Sequence, residues 1–345
     1  MRNQRAFLAT LRVLLAATFS IFLAATVLLL FAADFRSALW QFFVEPFSSR
    51  YFFGNYIADT VPLIISGIGV SIAFRSRNFN LGGEGQIYVG ALAGGVLALH
   101  ISEAFGSGTV WILVAFIGAF TGAIIGTISG LLKAYWRISE MISSYLLSAI
   151  IINISDFLIT GPLQDSTSNF QTTAQIPSAF LLPRIFSPSK LDISIWLALF
   201  LILFFHILSK KSKIGFELRV CGENEEFARY CGISIRAYKI TAMAISGGMY
   251  GLSGALLVIG QQGRVMRGFS SGLGWSAISV ALLAQGSETA ILPAALFIAF
   301  LKAGSDHVMI GSGVPSEIIS ILQAAAMLFI TAQVMPKLRQ RRKQQ

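Results

Sequence analysis

A chain of 345 residues with 55% hydrophobic side chains, 12% charged ones and a formal net charge of +10 lies far from the roughly 25% charge of an average soluble domain. That composition excludes a soluble enzyme and reads as a polytopic, all-α membrane protein. Nucleic acid, the partner that +10 would suggest for a soluble chain, is excluded with it: the excess Lys and Arg is explained by topology and by anionic lipid at an inner leaflet.

Ten largely apolar segments follow one another, at 13–33, 57–74, 85–101, 109–132, 138–160, 191–208, 238–260, 274–284, 290–304 and 316–334. Most are long enough to cross a hydrocarbon core of about 30 Å as helices. The eighth and ninth are short enough to form one hairpin that dips only partway. With the amino terminus inside, most of the 26 Lys and Arg fall on cytosolic segments, while Arg36, Arg50, Arg184, Lys190, Arg264 and Arg267 fall outside; by the positive-inside bias both termini face the cytosol. The chain is expected to be one transmembrane domain over 1–345, with an extracytoplasmic loop at about 161–190 and a cytosolic loop at about 209–237.

In chain order, the first anomaly is NFNLGGEGQ between the second and third spans. It sets Asn78, Asn80, Glu84 and Gln86 around three glycines. Irregular backbone at membrane depth is tolerated only where protein or water satisfies the freed groups, so such a break usually lines a cavity. A plain cytosolic turn, with Glu84 at the positive end of a helix dipole, fits equally well. The fourth span carries Gly118, Gly122, Gly126 and Gly130, a four-residue spacing that bares one helix face for close packing. In the fifth, Glu140, Ser144 and Ser148 recur every four residues and Ser155 extends the stripe. Hydrogen-bonding glue between helices is the commoner use of such a stripe, but Glu140 and Asp156 are costly to bury and carry more functional weight.

The loop at 161–190, rich in Ser, Thr, Gln and Pro, is a candidate dock for an outer partner and equally an idle loop. Next comes a charged island, GFELRVCGENEEFARYCGI from Gly215. Within it Asn224 can cap a short helix with Glu225 and Glu226 in its first turn. Phe227 and Tyr230, three apart, would share one face as aromatic anchors, with Glu223 and Arg229 at a polar rim. Cys221 and Cys231 lie in this island and are expected to be free thiols. His100, His206 and His307 are scattered, so no metal site is expected. ISGGMYG from Ile245 mimics a nucleotide-contacting signature but sits in an apolar span. No GxxxxGK[ST] phosphate loop occurs, so no ATPase site is expected in this chain.

Five blocks in order, NFNLGGEGQ, EMISSYLLSAIIINISDFLITGPLQD, GFELRVCGENEEFARYCGI, WSAISVALLAQGSE and VPSEIISILQ, resemble the inner-membrane permeases of bacterial ABC importers. The branch is the one serving simple sugars and nucleosides, akin to branched-chain amino acid permeases. The pattern is departed from at Leu81 and Gly83, and Phe227 and Tyr230 stand where smaller residues are common. The resemblance implies a permease of the bacterial cytoplasmic (inner) membrane that works by alternating access. It implies a second permease in a homo- or heterodimer, an extracytoplasmic substrate-binding lipoprotein and a cytosolic ATP-binding subunit, with ATP used by that partner and no cofactor in this chain. It makes Glu223–Tyr230, with Asn224, Phe227 and Arg229, the helix that couples to the ATPase. Asn78, Asn80, Glu84 and Gln86 become candidates for the substrate pathway or its gate, with Glu140 and Ser144 second. A nucleoside is the first choice of solute; a sugar, riboflavin or another ring compound is the alternative, as is a secondary transporter driven by an ion gradient.

Overall fold

The computed structural model describes residues 34–312 other than 103 and 286, together with Thr26, Leu29 and Ala32. The first and last expected spans therefore lie essentially outside the described residues. The other eight fall on helices: α1 (Phe35–Phe43) precedes them, followed by α2 (Arg50–Arg75), α3 (Gly83–His100), α4 (Ser107–Trp136), α5 (Glu140–Thr160), α6 (Ser194–Lys211), α7 (Lys213–Glu223), α8 (Glu225–Tyr230), α9 (Ile235–Leu257), α10 (Leu273–Ala284) and α11 (Ile291–Ser312). Among the described residues there is no strand beyond isolated bridges. Among the described residues six helices are long and apolar enough to span a membrane: α2, α4, α5, α6, α9 with its π-helical extension Val258–Gln262, and α11 with the turn before it. Packing divides the chain into one unit of residues 1–56 with 296–345 and another of 57–295.

In the first unit, Asp34 caps α1 by accepting from the Arg36 and Ser37 amides at 3.0 and 3.3 Å. Ala38 and Phe42 then pack on Leu301 and Val308, with the Phe42 and Phe300 rings edge to face at 5.9 Å. Tyr56 donates to the Leu296 carbonyl at 3.1 Å.

The second unit is built around α2, α3 and α9. The apolar windows of α2 and α9 are 83% buried, whereas those of α4, α5 and α6 are 28%, 28% and 17% buried, so the last three form the rim. The glycine stripe of α4 packs within the subunit. A Cβ on Gly122 would collide with the Gly247 carbonyl, and one on Gly126 with that of Met243, both in α9. The glycines of ISGGMYG therefore serve helix contact, with interaction area gained by bringing backbones together.

Pro62 lies inside α2 and, lacking an N–H, leaves the Ala58 carbonyl without its helical donor. Gln261 Nε2 supplies the replacement at 2.9 Å, and Ser253 Oγ donates to the Pro62 carbonyl at 3.1 Å. Helix α2 starts seven residues before the expected span, because Arg50 and Asn55 lower the hydropathy of its first turns without breaking the helix.

The segment after α5 is tied down along its length. Thr173, Ile176 and Leu182 donate their amides to the carbonyls of Val265, Gly263 and Ile259 at 3.0, 2.8 and 2.9 Å. Trp111 Nε1 donates to the Phe180 carbonyl at 3.0 Å. Each bond satisfies a backbone group that a buried loop would otherwise leave unpaired.

Candidate functional site

The break between α2 and α3 is densely hydrogen-bonded. Asn78, Asn80 and Gln86 are fully buried. Asn80 Nδ2 donates to Gln86 Oε1 at 2.8 Å and to Ser246 Oγ of α9 at 3.0 Å, while Asn80 Oδ1 accepts from Gln86 Nε2 at 3.3 Å and from the Gly82 amide at 3.0 Å. The two amides thus bind one another in both directions, and both Asn80 Nδ2 hydrogens are taken. The serine stripe of α5 supplies the remaining acceptors. Ser144 Oγ takes the Leu81 amide at 3.0 Å and Ser148 Oγ takes that of Gly85 at 2.7 Å. Backbone donors at the start of α3, orphaned by the helix end, are satisfied by side chains of a neighbour.

Glu84 points the other way, toward α10. Its carboxylate accepts from the Gly272 amide at 3.0 Å, from the Gly274 amide at 2.7 Å and from the Ser270 hydroxyl. A carboxylate on those amides sits at the positive end of the α10 dipole, where negative charge is stabilised. Tyr250, in the second half of α9, donates to the Gly274 carbonyl at 3.2 Å. Helix α10 therefore begins beside the interior of α9 rather than at its end, and its 12 residues make only about 18 Å of helix. Its starting point explains why the eighth span is short. A Cβ on Gly83 would run into the Tyr250 ring, which accounts for glycine at this departure from the pattern.

Glu140 opens α5 and is held by Lys133 of α4. Lys133 Nζ donates to Glu140 Oε1 at 2.6 Å, to Asn78 Oδ1 at 2.7 Å and to the Arg77 carbonyl at 3.1 Å. Glu140 Oε1 also accepts from the Phe79 amide at 3.3 Å. Asn78, Asn80, Gln86, Glu140 and Ser144 are thus gathered around one break, and Glu84 joins that break to α10. Sequence reasoning missed Lys133, Ser246, Ser270 and Tyr250. Lys133 looked like an ordinary topological charge at a helix end. Its signal was that it lies three residues inside the end of α4, within reach of the break.

The charged island forms a separate group at the α7–α8 end. Ser212 caps α7 through the Gly215 amide at 3.1 Å and Asn224 caps α8 through that of Phe227 at 3.0 Å. Ala228 is buried, whereas Phe227 is 54% and Tyr230 91% exposed. Glu223 and Arg229 are exposed beside them. An exposed aromatic pair on a capped, charged helix is costly in water and suits a protein partner. Cys221 is buried in α7, and burial, then Glu217 and Glu225, push its thiol pKa up. Cys231 is exposed.

Long apolar helices with apolar rims, enclosing a hydrogen-bonded polar cluster, define a multi-pass membrane protein. Residues 52–331 match the family described as "Branched-chain amino acid transport system / permease component", and the chain belongs to that family, as an ABC importer permease. It is 33% identical over 302 residues to "Guanosine ABC transporter permease protein NupP" of Bacillus subtilis (strain 168), covering 86% of this chain and 84% of that one. It is 32% identical over 302 residues to "Probable riboflavin import permease protein RfuC" of Treponema pallidum (strain Nichols), covering 86% and 78%. "Glucose ABC transporter permease protein TsgB13" of Haloferax volcanii is 30% identical over 299 residues, covering 84% and 78%.

Proposed function

We propose that this chain is the membrane-spanning subunit of an ATP-driven importer that moves a nucleoside, or a related sugar or flavin, into the cytosol by alternating access. The observation that carries the reading is α8, with Phe227 and Tyr230 exposed together on a capped helix, in a chain of the permease family. In this reading α8 seats in a cytosolic ATPase subunit, both termini are cytosolic, and a second permease and an outer binding protein complete the assembly. The membrane is the bacterial inner membrane. ATP is bound and hydrolysed by the partner, and no cofactor is needed here. Relatives named for guanosine, riboflavin and glucose support a hydroxyl-rich solute, and the two whose solutes contain an aromatic ring support a nucleoside first.

Asn78, Asn80, Glu84 and Gln86, with Glu140 and Ser144 behind them, would form the gate of the pathway. The internal bonding of the pair supports a gate over direct solute contact, since both Asn80 Nδ2 hydrogens are taken, by Gln86 and Ser246, and Gln86 is bound to Asn80 in both directions. Opening would exchange these bonds for others rather than leave them broken, as a bistable packed element requires.

Affinity purification from gently solubilised membranes tests the reading. An ATPase should co-purify with the wild-type chain and be lost, by about tenfold or more, when Phe227 and Tyr230 are both replaced by Ala, as for two anchors each worth roughly 1–2 kcal/mol. Transport by the isolated chain in ATP-free vesicles would instead support a gradient-driven carrier.

A further inference from the structure

The exposed docking helix and the buried break are joined by a continuous set of polar contacts, and two lysines make the joints. Lys239, near the start of α9, donates from Nζ to Glu225 of α8 at 2.6 Å. The backbone carbonyl of Lys239 accepts from Asn78 Nδ2 at 2.9 Å. Asn78 Oδ1 accepts from Lys133 Nζ, which also holds Glu140. The sequence of contacts thus runs from α8 through α9 to the break, and on to the ends of α4 and α5. A second connection runs beside it: Gly222, at the end of α7, packs so closely on the Arg75 carbonyl that a Cβ there would collide with it.

We propose that Lys239 and Lys133 are positioning residues that transmit displacement of α8 to the Asn78–Gln86 break, so that ATPase movement is converted into gate movement. This rests on the importer reading given above.

The chemistry of each joint favours transmission over simple stability. Lys133 has three N–H donors and three acceptors, so no donor is left for water. Its side chain is 18% and that of Glu140 10% exposed. A buried pair of this kind is weak evidence for net stabilisation, but removing one member leaves an uncompensated charge. The node therefore moves as one body or breaks discretely. The Lys239–Glu225 pair is more open, with Glu225 46% exposed. Exposed ion pairs contribute little to folding, so this contact is better suited to fixing where α8 sits relative to α9. Asn78 is the hinge between the pairs, donating to one lysine's carbonyl while accepting from the other's ammonium.

The test is the whole transporter in proteoliposomes, with solute uptake and ATP hydrolysis measured in parallel. Lys239→Met and Lys133→Met should leave the ATPase co-purifying and hydrolysing while solute moved per ATP falls at least about fivefold, the lower end of usual coupling between sites. Lys239→Arg, which keeps the charge for Glu225, should retain the wild-type ratio. A purely structural role for Lys239 would lower assembly, hydrolysis and uptake together in Lys239→Met, and that result overturns the proposal. So does an unchanged ratio in both Met variants. If Lys133→Met does not assemble, Lys239→Met against Lys239→Arg still decides, because that pair lies outside the buried node. Failure of the wild-type chain to bring down an ATPase overturns the importer reading and the relay with it, whereas an intact wild-type complex with unchanged variants overturns the relay alone.

Discussion

At Gly83 a hydrogen atom is all that separates the α3 backbone from the Tyr250 ring. The neighbouring atoms are Cζ, Cε1 and the hydroxyl of a fully buried tyrosine, which cannot swing away as an exposed chain would. Gly83→Ala should therefore cost about 1–3 kcal/mol as overpacking, read as a lowered Tm of the detergent-solubilised protein, and Gly83→Ala with Tyr250→Leu should recover part of the loss. An unchanged Tm for the single variant would show that the two helices are not in this contact. The residue scale is also where the sequence was least legible. The polar character of NFNLGGEGQ was visible, and so was the four-residue recurrence of Glu140, Ser144 and Ser148. Which polar atom meets which was not, because Asn80 and Ser246 are 166 positions apart and no periodicity within either segment relates them.

Elements were more readable, since a helix leaves a local record. The cap at Asn224 and the acids after it predict where α8 starts, and the structure places the Asn224 oxygen on the Phe227 amide. Helix α10 shows the limit of such reading: its largely apolar run of 12 residues gave its existence, but not that its first turn lies against Glu84 in the interior. That contact argues for a specific variant. Glu84 accepts two backbone amides and one hydroxyl, and Gln at this site would present only one acceptor oxygen. Glu84→Gln should then destabilise the start of α10 by roughly 1.5–3 kcal/mol, the range for hydrogen bonds to a charged partner. Both Tm and maximal uptake should fall. If Glu84 met the solute instead, the same change would raise KM with Tm unaltered, so the two readouts separate an anchor from a contact residue.

At the scale of the whole molecule a membrane reverses the surface polarity of a soluble protein, and α5 shows it within one helix. Glu140, Ser143, Ser144, Ser148 and Ser155 are buried, while Met141, Ile142, Leu146, Ile150, Ile154 and Phe157 are exposed. Hydrogen-bonding groups turn inward because lipid offers them no partner, and apolar groups outward because lipid costs them nothing. The same logic makes the two cysteines reporters of topology. Both lie near the charged island, but Cys221 is enclosed, with its thiol pKa raised first by burial and then by nearby carboxylates, so near neutral pH it has little reactive thiolate. Cys231 follows α8 and is exposed. A membrane-impermeant maleimide should label Cys231 alone, and only in inside-out vesicles, with labelling slowed when the ATPase occupies α8. Because a raised thiol pKa withholds thiolate until the pH exceeds it, Cys221 should remain the slower site at every pH below that value, even after partial unfolding of α8. Labelling of Cys231 in right-side-out vesicles would invert the assigned orientation and put the aromatic pair of α8 on the wrong side of the membrane for a cytosolic ATPase.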